Sequence, residues 1–451
     1  LLFIPDRDGD DVPDGPAETI LDGFEVTTGS YHNFANGLRF GPDGWLYGRC
    51  GHSCPARIGR PGTPAEHRLP MEGGLWRYHV GTGRIEVLTT GTTNPWGHDW
   101  TAEGECFFVN TVNGHLWHMI PGGHFAQTNG IDPNPSTFEL IDQHADHYHF
   151  DTGAGWQKSR NGSADALGGG HAHSGCMIYE GLNWPAAYRG RLFTLNFHGR
   201  RMNQELLARS DSGYVASHGP DLFPTKDAWF RGIDLASGPD GGVVVLDWSD
   251  TGECHERDGV HRRSGRIYKI VHGRPAAPPH RDLDALDDVA LARTQRHADG
   301  WSATHSRLAL AERAVSRPVA PAAVTVLRDQ FDTAADIAAA QPDVGASALR
   351  VRSLLALHLV GAVDHAGLLG LTTHDDEHVR TWAVRLLTET WPLDAALGPV
   401  PQEPDVAARA RSEADDLGER LAAIASRDGS GLVRLAVAST LQRLPVDRRA
   451  R

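Results

Sequence analysis

The sequence predicts an incomplete all-β propeller of about four blades, followed by an all-α solenoid. Three observations carry this prediction. Short strand-like segments recur with Gly-rich turns between them, and the phrase Gly-Pro-Asp-Gly opens such a segment at 41–44 and again at 238–241. Composition changes near residue 273: nine of the twelve Trp precede it, and Ala, Leu, Arg and Asp at helical spacing follow it. A Pro-rich joint, GRPAAPPHRD (273–282), lies between the two textures. The division expected is 1–273, a linker at 274–282, and 283–451.

Taken in order, FGPDGWLYGRCG (40–51) is a turn followed by alternating apolar residues. GGLWRYHVGTGRIEVLTTG (73–91) reads as two strands about a Gly-Thr-Gly turn. HDWTAEGECFFVNTVNGHLWHMIPG (98–122) and RGRLFTLNFHGRRMNQELLAR (189–209) repeat the scheme. LASGPDGGVVVLDWSDTGE (235–253) closes on SGRIYKIVHG (264–273). Units recurring at roughly 45–65 residues point to a propeller, with a sandwich as the alternative. A start inside an acidic turn, with about four units, predicts that N-terminal blades are missing and that a strand edge is exposed.

Behind the joint, EHVRTWAVRLLTETW (377–391) places Val379, Trp382, Ala383, Leu386 and Leu387 on one helical stripe. SGLVRLAVASTLQRL (430–444) does the same with Leu432, Leu435, Ala436, Ser439 and Leu441. ALRVRSLLALHLV (348–360) and HSRLALAERAV (305–315) look like relatives of both. A recurring Val-Arg phrase favours stacked helix pairs over an ordinary bundle.

Bulk charge excludes some partners. The 43 Lys and Arg against 57 Asp and Glu give a net charge of −14. A phosphate-binding protein needs a basic face, so nucleic acid and anionic membrane surfaces are not expected. No apolar run is long enough to span a bilayer. The five cysteines, Cys50, Cys54, Cys106, Cys176 and Cys254, include no Cys-x-x-Cys pair, which leaves no zinc ribbon and no covalent haem site. Cys50 and Cys54 could close a small disulfide in an oxidising compartment, or remain buried thiols.

DRDGDDVPDG (6–15) alternates carboxylates at Asp6, Asp8 and Asp10, with Asp14 following and Gly9 easing the turn. Such spacing lets oxygens converge on calcium. Ala17 stands where an EF-hand needs Glu, so the loop is of a shorter type, or is an acidic turn without an ion.

Five of the 25 His fall between His144 and His173, in HADHYHFD (144–151) and GGGHAHSG (168–175). His171 and His173 share a face if extended. They suit a metal pair, a ligand contact or a catalytic base near the propeller axis, and equally a His ladder between blades. Partners for them are His198, Asp247, Asp250 and His255. His98 and Asp99, in NPWGHDW, could orient one another as base and carboxylate. Arg200, Arg231 and Trp248 add cationic and aromatic lining of the kind a sugar or quinone site uses, or that packing between blades requires.

NPWGHDW (94–100), GHLWHMIPGGH (114–124), GGGHAHSGCMIYEGLNWP (168–185), NFHGRRMN (196–203), AWFRGIDLASGPDGG (228–242) and DWSDTGECHERDGVHRRSGRIYKI (247–270) together resemble one family. It is the membrane-bound-type dehydrogenase propeller family of planctomycetes and relatives. That family is distantly similar to soluble PQQ-dependent glucose/sorbosone dehydrogenases. The resemblance covers residues 1 to about 273, and HEAT-like repeats behind the propeller fit its architecture. It implies a quinone-dependent oxidoreductase acting on a sugar or alcohol, with PQQ as its cofactor. It also implies a periplasmic or secreted location and an external electron acceptor such as a c-type cytochrome, since this chain has no haem motif. A non-catalytic module that binds carbohydrate or protein is the alternative.

Overall fold

The structure, a computed structural model, describes the chain except residues 29–32, 112–113, 128–131, 146–171, 253–258, 260, 262, 279–281, 399–403 and 450–451. Four antiparallel sheets follow one another along the N-terminal region. The first joins Asn36–Phe40, Leu46–Cys50, Gly74–His79 and Arg84–Val87. The second joins Pro95–Trp100, Cys106–Asn110 and Leu116–His118. The third joins His173–Ile178, Leu192–Asn196, Arg201–Ser210 and Gly213–His218, and the fourth Gly232–Ser237, Val243–Asp247 and Arg266–Ile270. Each is a simple meander, and the first strand of each packs on the first strand of the next, as blades follow one another in a propeller. A smaller sheet of Asp22–Phe24, Ala56–Gly59 and Leu69–Met71 lies beside the first and shares its core through Leu21, Ile58 and Met71.

The four first strands share a device that the sequence reading did not anticipate. Each breaks register with its partner near its start, between Asn36 and Arg39, Pro95 and Gly97, Ser174 and Met177, and Gly232 and Asp234. A bulge bends the strand and re-aims its side chains. A glycine sits in or beside each one. At Gly97 a Cβ would lie 2.4 Å from the Gly175 carbonyl carbon, and at Gly175, with φ +66°, it would lie 2.5 Å from Leu235 Cδ2. The sheets approach so closely here that only hydrogen fits.

The C-terminal region is helical, beginning with Asp288–Thr294 and ending with Gly431–Thr440. Four expected helices are present as Gly300–Ser316, Ala346–Leu359, Glu377–Leu387 and Gly431–Thr440. The stripe Val379, Trp382, Ala383, Leu386 and Leu387 is buried. Asp376 caps Glu377–Leu387, accepting from the His378 N–H, and Ser430 caps Gly431–Thr440. Leu441 departs from its expected stripe: the α-helix ends at Thr440, and Leu441 is exposed while Val433 and Val437 are buried instead. Among the described residues no helix is long and apolar enough to cross a membrane.

The helices pack on the sheets. Leu393 joins a core containing Trp45, Phe108 and Trp117. Trp382 Nε1 donates to the Glu103 carbonyl at 2.8 Å, and Arg385 pairs with Glu105 at 2.9 Å. Cys50 and Cys54 are both free and buried, with the Cys50 thiol donating to the Cys54 carbonyl at 3.3 Å.

Candidate functional site

His173 opens the first strand of the third sheet and is fully buried. Its Nε2 lies 3.1 Å from Asn203 Oδ1, and Asn203 donates in turn to Asp221 at 2.7 Å. Arg201 pairs with the other Asp221 oxygen at 2.7 Å. The His115 ring centroid is 4.4 Å from that of His173, and His115 Nε2 is 2.8 Å from Glu205 Oε1. His115, Glu205 and His173 are all buried. Thr111 donates its hydroxyl to the His173 carbonyl, binding the second sheet to the third at this point. Two imidazoles in ring contact, one held by a carboxylate, form a unit able to accept a proton and stabilise the resulting charge. Sequence reasoning singled out His173 but missed His115 and Glu205. The phrase GHLWHM contains His115, yet nothing local links it to a carboxylate 90 residues away.

His144 spans the second and third sheets: its N–H reaches the Leu116 carbonyl at 2.8 Å and its carbonyl accepts from Ala216 at 2.6 Å. Burial, then the nearby His118, pushes its pKa down to about 4. His171, His255 and residues 146–151 of HADHYHFD lie outside the described residues. His198 is buried with its ring 5.5 Å from Phe197. Arg200 takes a left-handed φ of +54° in the turn between strands, where its N–H meets the Asn196 carbonyl at 2.9 Å.

Arg231, Asp247 and Asp250 hold the end of the fourth sheet. Arg231 Nη1 donates to the carbonyls of Ala228 and Phe230 at 3.0 and 2.8 Å. Asp247 accepts from the Arg231 and Ser249 N–H groups at 2.7 and 2.8 Å and pairs with Arg266 at 2.7 Å. Asp250 accepts from Gly252 and His261 N–H groups at 3.2 and 3.1 Å. Trp248 and Trp229 are 45% and 36% exposed, and the Trp229 ring lies 4.4 Å from that of His261.

The structure does not bring His98 and Asp99 together. Neighbours on a strand face opposite ways. His98 points into the aromatic core beside Trp100 and Tyr47, and neither ring nitrogen has a hydrogen-bond partner among the described residues. Burial, then Arg49 and Arg39, holds its pKa well below the usual imidazole range. Asp99 instead accepts from the Ile178 N–H at 2.8 Å and faces Arg39 at 3.4 Å.

In the N-terminal loop, Asp6, Asp8 and Asp14 each offer a carboxylate oxygen within 4.8 Å of the others, all exposed. Asp10 stands apart, accepting from the Val12 N–H at 2.8 Å. Asp6 holds the turn by accepting from Gly9 and Asp11 N–H groups at 2.9 and 3.1 Å.

A family model described as "Domain of unknown function (DUF7133)" matches residues 1–274. No curated protein matches the chain. Among solved structures, the chain is similar to an oxidoreductase described as a glucose dehydrogenase from Thermus thermophilus, at 18% identity and a TM-score of 0.35, over 55% of this chain and 68% of that one. It is also similar to the PQQ-bound form of an aldose sugar dehydrogenase from Streptomyces coelicolor, at 17% identity and a TM-score of 0.33, over 54% and 63%. A soluble aldose sugar dehydrogenase from Escherichia coli, in the apo form, gives 17% and 0.32 over 52% and 62%. Likeness at this level carries no information on this chain's activity.

Proposed function

We propose that this chain, which belongs to the DUF7133 family, is an oxidoreductase acting on a hydroxyl group of a sugar or alcohol. The observation that carries the reading is the His115–Glu205 pair in ring contact with His173. Oxidising an alcohol requires a base for the hydroxyl proton and an acceptor for the hydride. Glu205 fixes the His115 ring and stabilises its protonated form, and the His173 ring packs against it. The motif resemblance adds a periplasmic or secreted setting, a c-type cytochrome as final acceptor, and HEAT-like repeats as the nature of the helices.

The same resemblance implies PQQ, which when bound accepts the hydride. It is a polycarboxylate and needs cations to hold it. At this end of the sheets Arg201 is engaged by Asp221, and Arg231 by the carbonyls of Ala228, Phe230 and Thr251. Arg201 and Arg231 thus tie the sheet ends together rather than stand ready for a cofactor, and the His115–Glu205 pair supplies the proton-accepting part of the chemistry. Calcium at Asp6, Asp8 and Asp14 is proposed as a structural ion.

The test is dye-linked oxidation of a panel of aldoses and alcohols by the purified chain, with and without added PQQ and calcium. Turnover that falls about 10²–10⁴-fold in His115→Gln and in Glu205→Gln, with folding retained, supports the reading. Turnover unchanged in both variants, or none under any condition, refutes it. The exposed Trp229 and Trp248 favour a second reading, carbohydrate binding without turnover, through ring stacking on sugar faces. Glycan-induced quenching of Trp fluorescence that is lost in Trp248→Ala, with no oxidation, would establish that reading instead.

A further inference from the structure

At the other end of the same strands, a chamber of about 220 Å³ separates the sheets from the helices. The sheets contribute Arg39, Asp99 and Glu180, and the helices contribute His305, Arg307 and Arg352. Arg307 is the unusual member. It is 3% exposed, in the middle of the helix Gly300–Ser316. Among the described residues its Nη1 reaches only the Gln295 side-chain oxygen, at 3.5 Å, and its Nε has no hydrogen-bond partner. Among the described residues no carboxylate lies within 4.0 Å of it. Burial, then the neighbouring Arg352, drags its pKa down to about 10.

A buried guanidinium normally has a carboxylate beside it, because removing an unpaired charge from water is costly. Here the charge that acts on it most strongly is another cation, Arg352. Arg352 donates to the His297 carbonyl at 3.0 Å and meets Glu180 only at 3.6 Å. Arg39 is shared between Asp99 at 3.4 Å and the carbonyls of His98 and Cys176 at 3.3 and 3.5 Å. Burial raises the proton affinity of both carboxyls, taking Glu180 to about 7. Three guanidiniums thus line the space beside two carboxyls whose proton affinity burial raises. Beside them, the Trp301 and His305 rings stack at 4.0 Å with an interplanar angle of 22° and supply a flat wall.

We propose that this chamber binds a small organic oxyanion, a carboxylate or phosphate on a short carbon skeleton, whose charged group is held by Arg307 together with Arg352 and Arg39. Planar guanidinium forks match the paired oxygens of either group. The volume exceeds what a single ion occupies, and the stacked rings suit the carbon part. The inference does not depend on the oxidoreductase reading, since no residue of the His115–Glu205 pair takes part.

Thermal unfolding of the whole chain tests it, with sodium malonate and sodium phosphate titrated into the millimolar range against sodium chloride at matched ionic strength. The expected result is a saturable rise in Tm with at least one anion and none with chloride. A response to malonate alone assigns a carboxylate ligand, and to phosphate alone a phosphorylated one. In Arg307→Lys the apparent Kd should weaken at least tenfold, because an ammonium cannot form the fork. In Arg307→Met the response should vanish. If Arg307→Met does not fold, Arg352→Met provides the same comparison, and ³¹P line broadening of phosphate by the wild-type chain reads binding directly. No anion-specific shift in the wild type overturns the proposal, as does an unchanged response in the Arg307 variants.

Discussion

Arg443, in the turn after the last helix, donates from both terminal nitrogens to the two oxygens of Glu86, at 2.8 and 2.9 Å, across 357 residues of chain. Glu86 is 2% exposed on the last strand of the first sheet and also meets Arg77 at 2.7 Å and Arg84 at 2.8 Å. Trp45 and His358 both bond Glu389 nearby, at 2.6 and 2.9 Å. Sheets and helices are therefore joined by buried charge as well as by apolar contact.

Removing one partner from such a cluster leaves the others buried and uncompensated. Glu86→Gln should destabilise the chain by about 3–5 kcal/mol. Burial alone would raise the Glu86 pKa, but Arg443 and Arg77 outweigh it and hold it well below the ordinary range. With a depressed folded pKa, the stabilisation is complete above the unfolded value of about 4.3 and is lost as pH falls below it. Denaturant unfolding followed between pH 3 and 6 should therefore show a steep loss in the wild type that is shallower in Glu86→Gln. Parallel curves would show that the cluster contributes nothing to acid stability.

Glu180 should show the opposite sign. Burial raises its folded pKa to about 7, with Arg352 opposing. The folded state holds its proton more tightly than the unfolded chain does, so this contribution is complete below about pH 4.3 and lost as pH rises to 7. Because its side chain keeps 23% exposure towards the chamber, the effect should be about 1–2 kcal/mol rather than the full value of the shift. Glu180→Gln should remove that slope between pH 4 and 7 in the same unfolding experiment. An unchanged slope would mean that solvent in the chamber keeps the carboxylate ionised.

The acidic loop gives a metal-removal prediction. With Asp6, Asp8 and Asp14 converging, millimolar calcium should stabilise the wild type by about 1–2 kcal/mol if its affinity is that of extracellular calcium modules. Chelation should reverse the gain, and Asp14→Asn should abolish it, while Asp10→Asn should keep it because Asp10 accepts from the Val12 N–H. Equal calcium response in Asp14→Asn and the wild type would place any ion elsewhere.

Local signals carried much of this fold. Gly-Pro-Asp-Gly and the alternating strands marked the sheets, and the stripe through Val379, Trp382 and Leu386 marked its helix. What stayed hidden is non-local. The first strands share a phase, Gly37-x-Arg39, Gly97-x-Asp99, Gly175-x-Met177 and Gly232-x-Asp234, but the third residue varies and the intervals are irregular. His98 and Asp99 looked like partners because they are adjacent, and adjacency on a strand is what separates them. His115 and Glu205 meet only because the second and third sheets pack. Arg307 reads as an ordinary polar position on a helix until the sheets close over it.

The glycine at the tightest sheet contact gives the last prediction. A methyl group at Gly97 would lie 2.4 Å from the Gly175 carbonyl carbon and 2.5 Å from the Cys176 nitrogen. Both are backbone atoms held in the third sheet, so no rotamer change can relieve the clash, and the two sheets must move apart. Gly97→Ala should therefore cost about 3 kcal/mol or more, above the usual range for overpacking. Gly190→Ala provides the contrast. That glycine has a positive φ, +68°, but nothing lies within 4 Å of the position its Cβ would take, so only the backbone term of roughly 1 kcal/mol applies. Chemical denaturation of the two variants beside the wild type measures both. If Gly97→Ala costs no more than Gly190→Ala, the sheets are not packed to backbone contact at this point, and the close approach that places His173 against His115 is looser than the structure has it.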